Sequence, residues 1–125
     1  MIPSNEPLRF ILVSMTNHRR DRQVVESEIV EAKALIETYG GTVFLSLTQN
    51  ESHYAQSTFI GRGKTEEIAF AIETENIDVV VINDNLSSSQ LYALQGVLGE
   101  YSTNVKVWDR TGLILQIFQT ACQYC

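Results

Sequence analysis

The sequence is poor in cysteine and histidine, with two of each among its 125 residues. A structural zinc site needs about four ligands, but Cys122 and Cys125 lie at the C-terminal end, far from His18 and His53. A redox Cys-x-x-Cys pair stands at the start of a helix, whereas this pair ends a predicted one. The spacing therefore predicts no metal site and assigns no role to the two cysteines.

Long apolar segments are also lacking. No run approaches the roughly 18 residues that a membrane-spanning helix needs. The apolar stretch Phe10–Met15 is not preceded by the basic start of a signal peptide. We therefore expect a cytoplasmic protein without a membrane partner. Hydrophobic residues make up 44% and charged residues 19% of the chain, which is typical of one globular domain over residues 1–125. Residues from about 119 to 125 are expected to form a frayed or truncated tail.

The glycine-rich segment Phe59–Glu67 lacks the first glycine of a nucleoside-triphosphatase P-loop. That motif requires a glycine five positions before its Gly-Lys pair, and counting back from Gly63 reaches Thr58. What remains is a glycine turn over Gly61–Gly63, followed by Lys64 and the start of a helix. Such a combination suits an anion, but it does not predict triphosphate hydrolysis.

Apolar periodicity predicts four strands and four helices in alternation. The predicted strands are Arg9–Met15, Thr42–Thr48, Asp78–Ile82 and Val105–Trp108. The predicted inward positions of the first three helices are Val25, Ile29, Ala32, Ile36 and Tyr39; Ile68 and Ile72; and Leu91, Leu94 and Leu98. The predicted last helix bears the apolar residues Ile114, Ile117 and Phe118. In the second strand, Val43, Leu45 and Leu47 are predicted to share one face, with Phe44 opposite.

Helix boundaries are also marked by sequence signals. Gly40 and Gly41 predict the end of the first helix. Ser87 and Gln90 form a capping box at the start of the third helix, which ends at Gly99. Thr111 is the predicted cap of the fourth helix.

This alternation predicts an α/β fold, a four-stranded, mainly parallel sheet flanked by helices on both faces. The uninterrupted apolar run Val79–Ile82 supports it, because such a run is typical of a strand covered on both sides.

Ligands of open parallel sheets bind at the carboxyl ends of the strands. Although the net charge is −6, six of the nine lysines and arginines lie in or beside predicted loops, most of them at this edge. The candidate ligands of an anion, a nucleotide or an RNA phosphate are Gly61, Arg62, Gly63, Lys64, Asn83 and Asp84. The candidate RNA contacts are Arg19, Arg20, Arg22 and Arg110. Each segment also fits ordinary turn and capping chemistry, so both interpretations stay open.

Catalytic signatures are absent. The sequence contains no Gly-x-Ser-x-Gly elbow, no His-Glu-x-x-His motif and no second nucleotide-binding element. Asp84 and Asp109 could form a metal or acid–base pair, but spacing fixes no third ligand beside them. We expect Asp109 to have a structural role, as an ion pair with Arg110 that holds the last helix. No catalytic residue and no metal ligand is predicted.

Three segments carry a family resemblance. They are Phe59-Ile60-Gly61-Arg62-Gly63-Lys64 followed by Glu66-Glu67; Asn83-Asp84-Asn85-Leu86-Ser87 with Ser89-Gln90; and Val107 to Phe118. In this order and spacing the chain resembles the N-terminal domain of the HflX family of ribosome-associated GTPases, from about Glu26 to Phe118.

That resemblance implies an α/β unit that precedes a helical hairpin and a separate GTPase domain, which would hold GTP and Mg²⁺. It implies the large ribosomal subunit and its RNA as partners, together with the GTPase domain of the longer protein. It also implies that this chain alone holds no cofactor and does not hydrolyse GTP. ATP binding in this region is an alternative, as is a structural domain that docks the GTPase. In the latter case Ile114, Ile117 and Phe118 would be partly exposed, with homodimerisation through the last helix as a by-product.

The chain departs from the family pattern at three places. Ser88 replaces a proline, Gln116 replaces an acidic residue, and the sequence after Phe118 does not continue the family's arginine-rich helix. The second departure weakens any functional role for position 116.

Overall fold

A computed structural model of the chain describes residues 7–16, 21–50, 62–101 and 104–122. Four strands alternate with four helices, as predicted. The elements are β1 (Leu8–Thr16), α1 (Arg22–Tyr39), β2 (Gly41–Asn50), α2 (Arg62–Glu75), β3 (Val79–Ile82), α3 (Ser88–Gly99), β4 (Lys106–Asp109) and α4 (Arg110–Cys122).

The strands form one sheet in the order β2-β1-β3-β4, and each neighbouring pair is parallel. Where the central strands β1 and β3 pair with each other, over residues 10–13 and 79–82, every residue is apolar and buried. Such burial is expected where helices cover both sides of a parallel sheet. The predicted fold class is therefore confirmed.

Two apolar clusters lie on opposite faces of the sheet, because alternate residues of a strand point to opposite sides. Phe10 and Leu12 of β1 pack in a cluster with residues of α1 and α4. Ile11 and Val13 pack in a second cluster with residues of α2 and α3. Each face of the sheet is thus covered by two helices.

The predicted face assignment of β2 is wrong at Val43. Phe10 of β1 pairs with Val43 and Ile11 pairs with Leu45, so β2 has one extra residue, Phe44, at this point. A β-bulge of this kind shifts the alternation by one position. Val43 consequently packs on the α1 and α4 side, whereas Leu45 packs on the opposite side.

The two glycines after α1 have different tasks. Gly40 has a φ of 109°, and its N–H bonds to the carbonyl groups of Ile36 and Glu37, which ends the helix. Gly41 begins β2, where an added Cβ would overlap Cε1 of Phe10. The predicted helix end is confirmed, and Gly41 additionally makes room for a core aromatic ring.

Helix α2 begins at Arg62, whereas the sequence predicted a turn over Gly61–Gly63 ahead of the helix. Gly63 and Lys64 therefore belong to the first helical turn, which corrects their predicted placement in a loop. Gly61 lies outside the described residues. The capping box of α3 is confirmed, with Ser87 Oγ accepting from the N–H of Gln90.

The start of α4 differs from the prediction. Oδ1 of Asp109 accepts a hydrogen bond of 2.8 Å from the N–H of Gly112. Asp109 therefore caps the helix, not Thr111, because it is the residue that precedes the first helical turn. Leu113 and Ile117 face the core, while Ile114 and Phe118 are exposed.

Candidate functional site

The strand order places a switch point between β1 and β3. The chain leaves β1 towards β2 and leaves β3 towards β4, in opposite directions. In sheets of this type the carboxyl ends of such a strand pair form the ligand-binding crevice. Asn83 follows β3 there, and its N–H donates to the carbonyl of Val13 at 2.7 Å.

Asn83 joins three elements at this point. Its Nδ2 donates to the carbonyl of Glu28 in α1 at 3.2 Å, and its Oδ1 accepts from Nε of Arg110 at 3.1 Å. The main-chain carbonyl of Asn83 accepts from Nη2 of Arg110 at 2.8 Å. Because the side chain is buried and both ends of its amide are occupied, the described geometry gives Asn83 a structural task.

Arg110 is held between β3 and α1. Its Nη2 lies 3.9 Å from Oε2 of Glu28, and about a third of its side chain is exposed. The predicted ion pair with Asp109 is wrong, because the acidic partner of Arg110 is Glu28. Beside this pair, a cleft of about 130 Å³ opens between α1 and α4.

Asp109 ties the loop after β3 to the start of α4. Its Oδ2 accepts from the N–H of Leu86 at 3.2 Å, while its Oδ1 caps α4 through Gly112. Thr111 Oγ1 contributes a second tie, donating to Oδ1 of Asn85 at 2.9 Å. The expected structural role of Asp109 is therefore confirmed, although its partners are main-chain N–H groups.

Asp84 is partly exposed beside this network. Its Oδ1 accepts from the N–H of Asn85 at 2.8 Å, and its carbonyl accepts from the N–H of Arg110 at 3.1 Å. Within the described part of the chain, no group of three or more histidine, cysteine, aspartate or glutamate side chains could hold a metal ion. The described helices also include none that is long and apolar enough to cross a membrane.

Basic residues outnumber acidic ones in the first turns of the helices. Three of the four begin with an arginine, and none of the four has an acidic residue in its first turn. Arg22 starts α1 with 92% of its side chain exposed, and its Nε lies 3.2 Å from Oε1 of Glu26. Arg62 and Lys64 lie in the first turn of α2, and Arg110 starts α4. Arg19 and Arg20 lie outside the described residues.

This placement works against the helices themselves. A helix N-terminus carries a partial positive charge, so acidic side chains stabilise it and cations do not. All four N-termini lie at one edge, because every helix follows a parallel strand. The helix dipoles and the cations therefore add to one another along this edge, offset at α1 and α4 by the capping carboxylates of Asp21 and Asp109.

Ser14 is a polar residue of β1 that the sequence analysis did not single out. It is 2% exposed, and its Oγ has no hydrogen-bond partner among the described residues. It lies one residue beyond Val13, which accepts the N–H of Asn83, near the carboxyl end of β1. The sequence signal that could have identified Ser14 was a hydroxyl group inside the apolar run Phe10–Met15.

Comparisons with known proteins agree with this architecture. A family model described as GTP-binding GTPase N-terminal matches residues 26–119. The chain is 36% identical over 110 residues to the GTPase HflX of Caldanaerobacter subterraneus, covering 88% of this chain and 24% of that protein. It is 37% identical over 108 residues to the GTPase HflX of Alkalihalophilus pseudofirmus, covering 86% of this chain and 24% of that protein. The chain thus spans about a quarter of the length of these relatives.

Solved structures share the fold. A crystal structure of an SsGBP variant superposes with a TM-score of 0.66 at 18% identity, covering 89% of this chain and 32% of that one. The complex of SsGBP with GDP gives a TM-score of 0.65 at 18% identity, covering 90% and 29%. At this identity the likeness concerns the fold, whereas the family model and the sequence relatives establish the relationship. The chain belongs to the GTP-binding GTPase N-terminal family and corresponds to the N-terminal region of HflX proteins.

Proposed function

We propose that this chain is the RNA- and ribosome-contacting domain of an HflX-like GTP-binding protein, working in the cytoplasm. The large ribosomal subunit and its RNA would be its partners, and GTP hydrolysis would belong to a separate GTPase domain. The proposal rests on the family relationship and on one structural observation, the basic edge formed by the first turns of α1, α2 and α4.

The basic edge supports RNA as the ligand in spite of the net charge of −6. Arg22, Arg62 and Lys64 stand where the helix dipoles are also positive, a combination that attracts phosphate groups. Arg110 adds to the field, but its Nε and Nη2 are engaged with Asn83. We therefore expect direct contacts with phosphate groups from α1 and α2 rather than from α4.

Charge reversal in α2 tests this proposal. Acidic residues in a first helical turn favour the helix, so the double variant Arg62→Glu and Lys64→Glu should fold and yet lose RNA binding. Binding of the chain to purified large ribosomal subunits would be followed in a salt titration. Losing two phosphate contacts should reduce the slope of log K against log salt by roughly 1 to 2.

A matched control exists at other positions of the fold. The double variant Lys33→Glu and Lys106→Glu makes the same change in net charge, but Lys33 lies within α1 and Lys106 starts β4 at the amino end of the sheet. This control should bind nearly as the parent chain does. Equal losses in both double variants, or binding that does not depend on salt, would contradict the proposal.

GTP hydrolysis by this chain is not expected, because Thr58 stands where a P-loop needs its first glycine. Incubation with GTP and Mg²⁺ should release no phosphate above a buffer control. Release that Lys64→Ala abolishes would refute the assignment.

A second candidate function is nucleotide binding at the same edge, with ATP as the ligand. Gly63 and Lys64 in the acid-free first turn of α2 favour it, since helix N-termini bind phosphate groups. This candidate predicts saturable heat on calorimetric titration with ATP, and its loss in Lys64→Ala. A titration without heat at millimolar ATP would exclude it and leave the RNA proposal untouched.

A further inference from the structure

The outer edge of β2 is unpaired among the described residues. β2 is the first strand in the sheet order and runs for 10 residues, from Gly41 to Asn50, whereas β4 at the opposite edge has 4. Proteins protect open strand edges from pairing with charged side chains, proline or a bulge. β2 has no charged residue and no proline, and its bulge at Phe44 leaves Leu45–Asn50 in regular register with β1. The edge therefore offers its main-chain N–H and C=O groups to a further strand.

One side of α1 stands over this edge. The helix packs against both β1 and β2. Its residues Glu28 and Leu35 border the cleft towards α4, so the opposite side of the helix faces outwards above β2. Residues on that side recur at the spacing of one helix face. We call them the α1 stripe, which consists of Arg22, Glu26, Val30, Lys33 and Glu37.

The charges of the α1 stripe are self-complementary. Glu26 and Lys33 lie equally far on either side of the peptide bond that precedes Val30, and Arg22 and Glu37 are likewise equidistant from it. A second copy related by a two-fold axis through this point would set Glu26 opposite the partner's Lys33. It would also set Arg22 opposite the partner's Glu37. A surface patch that matches itself in this way is what a two-fold symmetric interface requires. At its centre Val30 is 67% exposed.

One two-fold axis can serve the strand and the helix together. α1 is about 27 Å long and β2 about 33 Å, and both run the height of the sheet, so the middle of α1 lies over the middle of β2. An axis perpendicular to the sheet makes the two β2 strands antiparallel. Because paired strands lie about 4.8 Å apart and each α1 lies between its own β1 and β2, the two helix axes would be about 10 Å apart. Packed helices lie about 8–10 Å apart, so both contacts can form at once.

We propose that two copies of this chain associate through the outer edge of β2 and the α1 stripe, which joins their sheets into one. Hydrogen bonds between the two β2 strands would supply affinity, and the charges of the α1 stripe would fix the register. A second copy fits better than an unrelated strand, because only a copy brings the complement of the α1 stripe along with the strand. The axis points the two basic edges in opposite directions and leaves both accessible. The inference therefore goes beyond the proposed function and does not depend on it.

Charge reversal at Glu26 and Lys33 tests the proposal through exchange of partners. Glu26→Lys sets lysine opposite lysine across the axis, and Lys33→Glu sets glutamate opposite glutamate. In sedimentation equilibrium of the 125-residue chain, each variant alone should raise the dimer dissociation constant at least about tenfold. A mixture of the two variants pairs every lysine with a glutamate, so heterodimers should form with about the affinity of the parent chain. The double variant Glu26→Lys and Lys33→Glu should also dimerise, because it only exchanges the two charges.

Glu73→Lys and Lys106→Glu are the matched controls, since they change the net charge by the same amounts at other surfaces. Glu73 lies in α2, and Lys106 starts β4 at the opposite edge of the sheet. Each control should dimerise as the parent chain does. If the mixture of Glu26→Lys and Lys33→Glu gains no more association than the mixture of the two controls, the α1 stripe is not part of the contact and the proposal fails.

The strand contact is tested at Ser46, an exposed residue in the middle of β2. Ser46→Lys places two lysines close to the axis and should raise the dissociation constant at least about tenfold. Gly96→Lys adds the same charge to α3, where an added Cβ meets nothing within 4 Å, and should have no effect. Equal effects of these two variants would refute the strand contact. A parent chain that stays monomeric throughout the concentration series would overturn the proposal. So would a dimer that Phe118→Glu dissociates and Glu26→Lys does not, because the contact would then lie on α4.

Discussion

Arg110 donates two hydrogen bonds to Asn83, one from Nε to the side-chain Oδ1 at 3.1 Å and one from Nη2 to the main-chain carbonyl at 2.8 Å. The pair joins the first residue of α4 to the residue that follows β3. Asn83 extends the connection to α1 through the carbonyl of Glu28. Asn83 and Arg110, which the sequence suggested as ligand contacts, thus connect β3, α1 and α4 at the switch point.

Breaking this connection should cost stability. Arg110→Lys keeps the charge but cannot reproduce the planar fork, and it leaves the buried Asn83 Oδ1 without its donor. We expect the free energy of unfolding to fall by about 1–3 kcal/mol in a urea titration. Arg22→Lys is the matched control, since exposed i,i+4 pairs contribute only about 0.3–0.5 kcal/mol. An equal, small effect of both substitutions would contradict the structural role of Arg110.

The cap of α4 gives a prediction that separates Asp109 from Thr111. Asp109→Ala removes acceptors from the N–H groups of Gly112 and Leu86 and should lower the free energy of unfolding by about 1–2 kcal/mol. Thr111→Ala removes one exposed side-chain hydrogen bond and should cost less. Thermal unfolding of both variants shows which substitution lowers stability more. The reverse order would restore Thr111 as the cap.

Ser14 allows a test in the opposite direction. Its buried Oγ has no partner among the described residues, and a buried polar group without a partner costs about 1–3 kcal/mol. Ser14→Ala should therefore leave the free energy of unfolding unchanged or raise it. Ser14→Val is the companion variant, which should destabilise through overpacking. A marked loss of stability in Ser14→Ala would mean that the hydroxyl does have a partner.

Gly41 tests the close contact at the start of β2. A Cβ at this position would overlap the ring of Phe10, so Gly41→Ala should destabilise the chain by about 1–3 kcal/mol. Gly96 in α3 is the matched control, because an added Cβ there meets nothing within 4 Å. Alanine is favoured over glycine inside a helix, so Gly96→Ala should raise stability by roughly 0.5–1 kcal/mol. Chemical denaturation of the two variants should give shifts of opposite sign.

Interactions between residues close together in the sequence could be predicted, whereas those between remote residues could not. Local signals succeeded at Gly40 and at the capping box of Ser87 and Gln90, because the partners lie within a few residues. The face of Val43 was missed, since a β-bulge depends on how β2 registers against β1. The partner of Arg110 was also missed, because Glu28 is remote in the sequence and reaches it only after α1 and α4 pack together.

The sequence by itself determined the alternation of strands and helices, the parallel class of the sheet, the absence of a P-loop at Thr58 and the family. Periodicity, caps and motifs are local, so these features could be read without knowing the packing. Only the tertiary structure decided that Asn83 and Arg110 are bound to each other and that Asp109 caps α4. It also decided that α4 presents Leu115 and Phe118 outwards. Those outcomes depend on which residues pack together in the folded chain. Spacing along the sequence does not show which residues these are.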